Sequence, residues 1–189
     1  MYPVGILLAA GRGRRFDPSG GRNKLLQALP GGEPVVVASA RTLLSVLPRV
    51  IAVVPPEDGG VADALCALGC EVTTCLDADN GMAASLVHAI HHSLPQADAW
   101  LVALGDMPFV APQTLRALLD ALAAGAGIAA PVHGGRRGNP VAFGAVHLSA
   151  LLALEGEHGA RALLKSASVT QVEVEDSGIF RDIDTPADL

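Results

Sequence analysis

The residues of this chain best equipped for chemistry crowd into one loop. Arg12, Arg14, Arg15, Arg22 and Lys24 are five of its 13 Lys and Arg residues, with Asp17 the one acid among them and Gly11 and Gly13 interleaved. Such a loop has the chemistry of a polyanion site: glycines let the backbone approach and aim N–H groups at phosphate oxygens, Arg offers bidentate contacts, and Lys adds a mobile point charge. Charge runs are commonly only solvated faces. This one follows directly on the apolar residues 4–10, where a first strand would deliver a phosphate to the loop. Two familiar phosphate motifs do not fit it. GRGRRF begins as G-x-G, but Phe16 stands where a dinucleotide fingerprint needs a third Gly or Ala, and no acid closes a second strand about 20 residues on. The P-loop pattern fails because Asn23 precedes Lys24 and Leu25 replaces the magnesium-binding hydroxyl residue.

Carboxylates complement the basic loop. Asp106, in LGDMP, directly follows an apolar run, and an Asp at a strand end can hold Mg2+ beside substrate phosphates. Mg2+ keeps several waters and takes only one or two carboxylates, so one further acid suffices. RDIDTP supplies Asp182 and Asp184, two apart on an expected strand and therefore on one face; alternatively Asp184 caps the last helical turn. DADNGMAASL runs from a polar loop into a helix starting near Met82, whose free N–H groups and Ser85 suit a phosphate or ribose, although Ser85 can equally be a routine first-turn serine. GGRRGNPVAF sets Arg136 and Arg137 between glycines and Asn139, either as a second anion loop or as an exposed hairpin. His88 and His92 are four apart, but without an H-E-x-x-H glutamate or a third ligand they read as surface histidines. No Ser/His/Asp or Cys/His spacing supports covalent catalysis.

These residues need elements to position them. Apolar runs at 4–9, 50–54, 71–75, 100–104 and 128–132 alternate with Ala- and Leu-rich helical stretches, a βαβα order. VIAVV and WLVAL are apolar throughout, which predicts strands of a parallel sheet covered on both faces. Pro34 and Pro112 open two of the helices, and the second runs into Gly125. Short helices are expected around 148–154 and 160–166, and final strands near 169–174 and 179–183. Ligands of open α/β sheets bind beyond the carboxyl ends of the strands, which is where the basic loop, residues 77–85, Asp106 and residues 134–139 fall.

Composition narrows the class. A length of 189 residues and a half-hydrophobic content suit one compact domain, and neither a linker nor a repeat interrupts it. The net charge of −6 and the 3% aromatic content exclude a nucleic-acid surface. No apolar stretch is long enough for a membrane span, and the N-terminal run lacks the basic start of a secretion signal, so the expected location is the cytoplasm. Cys66, Cys70 and Cys75 match no common zinc spacing and read as buried apolar residues in a reducing compartment.

In order along the chain, LLAAGRGRRF with NKLL, NGMAASL, LGDMPFV, GRRGNPVAF, GARALL and DIDTPADL resemble the motifs of the MobA-like nucleotidyltransferases, and within them most closely the molybdenum cofactor cytidylyltransferases. Ordered motifs spanning nearly the whole chain are far more specific than any one of them. The resemblance implies a three-layer, Rossmann-like α/β fold with a mostly parallel central sheet, and transfer of a nucleotidyl group from an NTP with Mg2+ and release of pyrophosphate. Carried over by motif, Ala9, Ala10, Gly11, Arg12 and Gly13 approach the base and phosphates, and Arg15 and Lys24 contact phosphates. Asp106 binds the metal, with Asp182 or Asp184 completing its site. Asn80, Gly81 and Ser85 lie against the nucleoside, and Arg137, Gly138 and Asn139 line the acceptor side. Guanylyl relatives read LAGG with DK, whereas this chain reads LAAG with Asn23-Lys24, which favours CTP. The implied partners are CTP or another NTP, a phosphorylated pterin acceptor, and a molybdenum enzyme that receives the product. The competing readings are a guanylyltransferase or an NTP transferase with another small phosphorylated acceptor, a maturation partner of molybdenum enzymes that binds nucleotide without turnover, and a nicotinamide-dependent reductase.

Overall fold

Strands that are apolar at every position can be accommodated only where both faces of the sheet are covered. In the computed structural model, which describes residues 1–11, 13, 15–157 and 159–189, β1 (Pro3–Leu8) runs parallel to β2 (Val50–Val54) on one side and β4 (Ala99–Leu104) on the other. Next to β2, β3 (Glu71–Thr74) extends the parallel set. Alternation along the strands sorts their side chains into two cores. Leu7, Ala52 and Leu101 pack toward α1 (Val35–Leu44), α2 (Val61–Leu68) and α4 (Pro112–Ala123). Ile6, Leu8, Ile51, Val53 and Trp100 pack toward α3 (Met82–Ser93), α5 (Leu148–Leu152) and α6 (Arg161–Ser166). This is the three-layer, mostly parallel α/β architecture expected. Helix starts follow the expected signals at Pro34, Met82 and Pro112, and Gly125, at φ +102°, ends α4 in the left-handed conformation. No helix among the described residues is long and apolar enough to cross a membrane.

The second half of the sheet departs from the expected order. β5 (Ile128–His133) is separated from β4 by β7 (Val141–Gly144), antiparallel to both, and β6 (Arg136–Arg137) and β8 (Thr170–Glu173) flank β5. GGRRGNPVAF is therefore a hairpin arm followed by a central strand. Gly134 and Gly135, at φ +59° and +76°, make the two-residue turn between β5 and β6.

Three further expectations are corrected. Residues 179–183 are not a strand: a 3-10 turn, Ser177–Phe180, bends the chain because the Asp176 carboxylate accepts the Gly178 N–H. Asp182 and Asp184 therefore do not share a strand face. Thr185, not Asp184, caps the final turn, Pro186–Asp188, in a reciprocal capping box with Asp188. Cys66 is exposed, while Cys70 and Cys75 are buried as expected; burial and the neighbouring Cys66 thiol push the Cys70 thiol up to about 11.

Candidate active site

Because β2 lies to one side of β1 and β4 to the other, the loops leaving their carboxyl ends diverge and open a crevice. A cleft of about 500 Å³ occupies it. Of the residues expected at the site, Ala9, Ala10, Gly11, Lys24, Gly81, Ser85 and Asp106 line this cleft. A second depression of about 610 Å³ shares Ala9, Gly11, Ala78 and Asp79 with it and is walled by the basic loop and residues 55–59. Together they give a nucleotide-sized space open at the strand ends.

The centre is an ionic cluster. Lys24, with a side chain only 10% exposed, donates to Asp106 at 2.6 Å and lies 3.6 Å from Asp184. Arg15 reaches the same Asp184 at 2.5 Å. Asp106 is held from below, since Gly105 donates its N–H to Leu8 and its carbonyl accepts from the Ser39 hydroxyl at 3.0 Å. Asp182 is more open, yet partial burial, then the negative charges of Asp184 and Asp106, push its carboxyl above the usual range. One buried ammonium thus lies between the Asp106 and Asp184 carboxylates, and Asp182 is near enough to feel both of their charges. Among the described residues no three His, Cys, Asp or Glu side chains form a closed metal cage, and a cation completed by phosphates and water needs none.

The basic loop is organised around this centre. Gly13, at φ +58°, packs on the Lys24 side chain, where an added Cβ would come within 3.3 Å of Cγ. Its carbonyl accepts from Phe16 and Asp17. Phe16, the residue that breaks the dinucleotide fingerprint, is buried against Val35 and Ile183 and fastens the loop to the C-terminal segment. Ala10 and Gly11 line the cleft, and their N–H groups have no hydrogen-bond partner among the described residues. Asn23 accepts from the Leu25 N–H and donates to the Asp58 carbonyl at 2.9 Å. An Asp at this position would have no proton for that second bond. Arg12 and Arg14 lie outside the described residues.

The remaining expected residues divide between the cleft wall and its surroundings. Gly81 makes room for a neighbouring loop: at φ +106°, its Cβ would fall 2.6 Å from the Gly156 carbonyl. That crossing brings Glu157 to the cleft, a residue the sequence did not single out. Asn80 is outside the cleft lining, next to Asp79, which is in it. Ser85 is buried at the wall of the cleft. Gly138 and Asn139 are engaged with Ile179: an added Cβ on Gly138 would lie 2.5 Å from the Ile179 carbonyl, which accepts the Asn139 N–H. Arg137 extends to the Leu164 carbonyl. His88 bonds Thr73 and His92 bonds Glu71, so the two are not a shared metal site, and burial followed by the His92 and His91 charges lowers the His88 imidazole.

Asp176 was not singled out in the sequence. It is buried, accepts from the Ala111 N–H, the Thr114 hydroxyl at 2.6 Å and the Gly178 N–H, and so ties the start of α4 to the segment carrying Asp182 and Asp184. The Ile183 N–H then donates to the Asp106 carbonyl at 2.8 Å.

The chain is similar to a purine catabolism protein, PucB, of Bacillus subtilis, 31% identical over an alignment of 202 positions that takes in 98% of this chain and 93% of that protein. Among solved structures, Rv0371c of Mycobacterium tuberculosis superimposes at a TM-score of 0.85 with 29% identity, covering 100% of this chain and 95% of that one. In complex with manganese the same protein superimposes at 0.80 with 26% identity, covering 100% and 96%. A nucleotidyl transferase from Methanothermobacter gives 0.82 with 26% identity over 99% and 94%. The model of the MobA-like NTP transferase domain matches residues 5–173, and with the basic loop, the carboxylate cluster and the switch-point cleft all inside one such fold, the chain belongs to that nucleotidyltransferase family.

Proposed function

We propose that this chain transfers CMP from CTP to the phosphate of a molybdopterin-type acceptor, with release of pyrophosphate, closest in kind to the molybdenum cofactor cytidylyltransferases. The observation that carries the reading is the Lys24–Asp106–Asp184 cluster at the switch point between β1 and β4, beside Ala10 and Gly11, whose N–H groups have no partner among the described residues. The cytidylyl choice rests on Ala9-Ala10-Gly11 and on Asn23, whose amide bridges to Asp58.

An oxygen of the acceptor phosphate bonds to the α-phosphorus, the bond from that phosphorus to the α–β bridging oxygen breaks, and pyrophosphate departs with the electron pair. A phosphomonoester with a second pKa of about 6 is largely dianionic at neutral pH, so the attack needs no general base. What it needs is alignment and relief of like-charge repulsion. Lys24 and Arg15 contact the triphosphate, Ala9, Ala10, Gly11 and Gly13 cradle it, and Gly81 and Ser85 lie against the nucleoside. Mg2+ would be held by Asp106 with Asp182 or Asp184, where it would draw charge from phosphate oxygens when bound; the manganese complex of a relative supports a divalent metal. Arg137 belongs to the acceptor side, while Gly138 and Asn139 serve it by fixing Ile179. The product passes to a molybdenum enzyme in the cytoplasm.

Thermal stabilisation by each of the four NTPs, with and without Mg2+, tests the nucleotide. A ligand at about 100 times its Kd adds roughly 2.7 kcal/mol, a clear shift. CTP should stabilise most, and only with metal, and molybdopterin plus CTP should then release pyrophosphate. A preference for GTP overturns the cytidylyl assignment, and CTP turnover that proceeds only with a different acceptor overturns the pterin.

A further inference from the structure

Among the described residues Arg15, Arg22, Arg41 and Arg49 each lie within ion-pair distance of an acid, whereas Arg116, Arg136, Arg137, Arg161 and Arg181 have no such partner. Two of them rest on aromatic rings instead. The Arg181 guanidinium sits 3.9 Å from the centroid of Phe109, and that of Arg136 4.5 Å from the centroid of Phe180. A stacked guanidinium is fixed in plane by its ring, while its in-plane N–H fork stays available for a planar or tetrahedral oxyanion.

Both stacks are built onto the reaction centre. Arg181 directly precedes Asp182, one Cα–Cα step of about 3.8 Å, and Phe109 follows Asp106 on the same short loop. The bond from Ile183 to the Asp106 carbonyl joins the two strings. Gly178 packs its backbone on Phe109, where an added Cβ would lie 2.0 Å from the Phe109 carbonyl, and Gly138 packs on Ile179. The backbone under both rings is thus held from several sides, and both arginines remain exposed.

Charge gives the platform its use. Lys24 and Arg15 are already paired with Asp106 and Asp184, which limits what they can offer a second anion. A phosphomonoester carries about −1.5 to −2 at neutral pH and must come up to a triphosphate that repels it. We propose that Arg181 on Phe109 and Arg136 on Phe180 form the phosphate-binding site for the acceptor. The proposal rests on the reading of a phosphorylated acceptor and moves its anchor from residues 137–139 to these two stacked guanidiniums.

Inorganic phosphate is the probe, titrated into the full chain with Nε of arginine observed by NMR, both alone and with saturating CTP and Mg2+. Arg136 and Arg181 signals should move with phosphate in the nucleotide-loaded protein, and Arg181→Gln and Arg136→Gln should each weaken that phosphate binding about tenfold (roughly 1.4 kcal/mol) while CTP affinity stays within about twofold. Signals that do not move, or variants that bind phosphate as the parent does, overturn the proposal. A parallel loss of CTP affinity assigns the arginines to the triphosphate and also overturns it. If the parent fails to bind CTP, the cytidylyl reading falls separately, and the nucleotide-free titration still decides whether these arginines take phosphate.

Discussion

The loop after β1 and the segment from Asp176 to Asp184 meet at the ionic cluster, but they are held by different kinds of contact. Most of the loop's hydrogen bonds are made within it, with Asn23 also reaching out to the Asp58 carbonyl. Gly13 takes the N–H groups of Phe16 and Asp17, the Asp17 carboxylate takes those of Ser19 and Arg22, and Asn23 takes that of Leu25. The C-terminal segment is built from distant residues. Asp176 bonds residues 65 and 62 positions away, Gly178 lies on Phe109, Ile179 on Gly138 and Asn139, and Ile183 on Asp106. Phe16 and Ile183 pack together at the junction. The comparison teaches that one wall of the cleft is specified locally and the other by tertiary packing, so they should fail differently.

Removing the residue where the two walls meet should have the largest effect. Lys24→Ala should cut turnover by about 10²- to 10³-fold, the scale of losing one preorganised charge on a developing anion, measured as pyrophosphate release. The freed carboxylates are 20% and 23% exposed and can rehydrate. Folding should therefore lose less, about 1 kcal/mol or roughly 2–4 °C in Tm. Unchanged turnover would remove Lys24 from the triphosphate site.

The distal wall should break next. Asp176→Ala strands three donors that are buried or half-buried and should cost about 2–4 kcal/mol, with loss of kcat because Asp182 and Asp184 lose their seat. Asp176→Asn keeps an acceptor for the Thr114 hydroxyl and should cost less. A Tm equal to the parent's in both variants would show that the segment is held without this carboxylate. Gly178→Ala tests the same wall sterically. Its methyl would meet the Phe109 backbone, which cannot swing away as a side chain can, and about 1–3 kcal/mol of destabilisation is expected.

The same contrast explains what could be read from the residues alone. The first strand, its loop, α3, α4 and Asp106 carry local signatures: uninterrupted apolar runs, glycines at sharp turns, prolines at helix starts. All fell where expected. β7 did not, because NPVAFG is short and bounded by Pro and Gly, and its place between β4 and β5 comes from pairing partners far away in the chain. IFRDID reads as a strand by composition, but Asp176 and Gly178 turn it, and the partners that make them do so, Thr114 and Phe109, lie more than sixty residues earlier. Glu157 was invisible for the same reason: it reaches the cleft only because Gly81 lets another loop cross the start of α3.

The smallest effect belongs to the local wall, and its pH dependence gives it a signature. The Ser19 hydroxyl, then the Ser19 N–H, hold the Asp17 carboxyl below the usual carboxylate range, with the Arg22 N–H adding to them. A folded-state pKa below the unfolded value of about 3.9 means that the folded state binds this proton less readily. The stabilisation is therefore present above the unfolded pKa and is lost as pH falls through the folded one. Asp17→Asn should lower Tm slightly at pH 7, and the difference from the parent should shrink as the pH is taken below about 4. Arg22 should stay stacked on Phe16, since that contact does not need the charge of Asp17. A difference that persists undiminished into acid would mean that Asp17 acts through shape rather than charge. A variant that also loses the C-terminal segment's protection from hydrogen exchange would show that the loop is not self-contained, and the contrast between the two walls would fail at its local end.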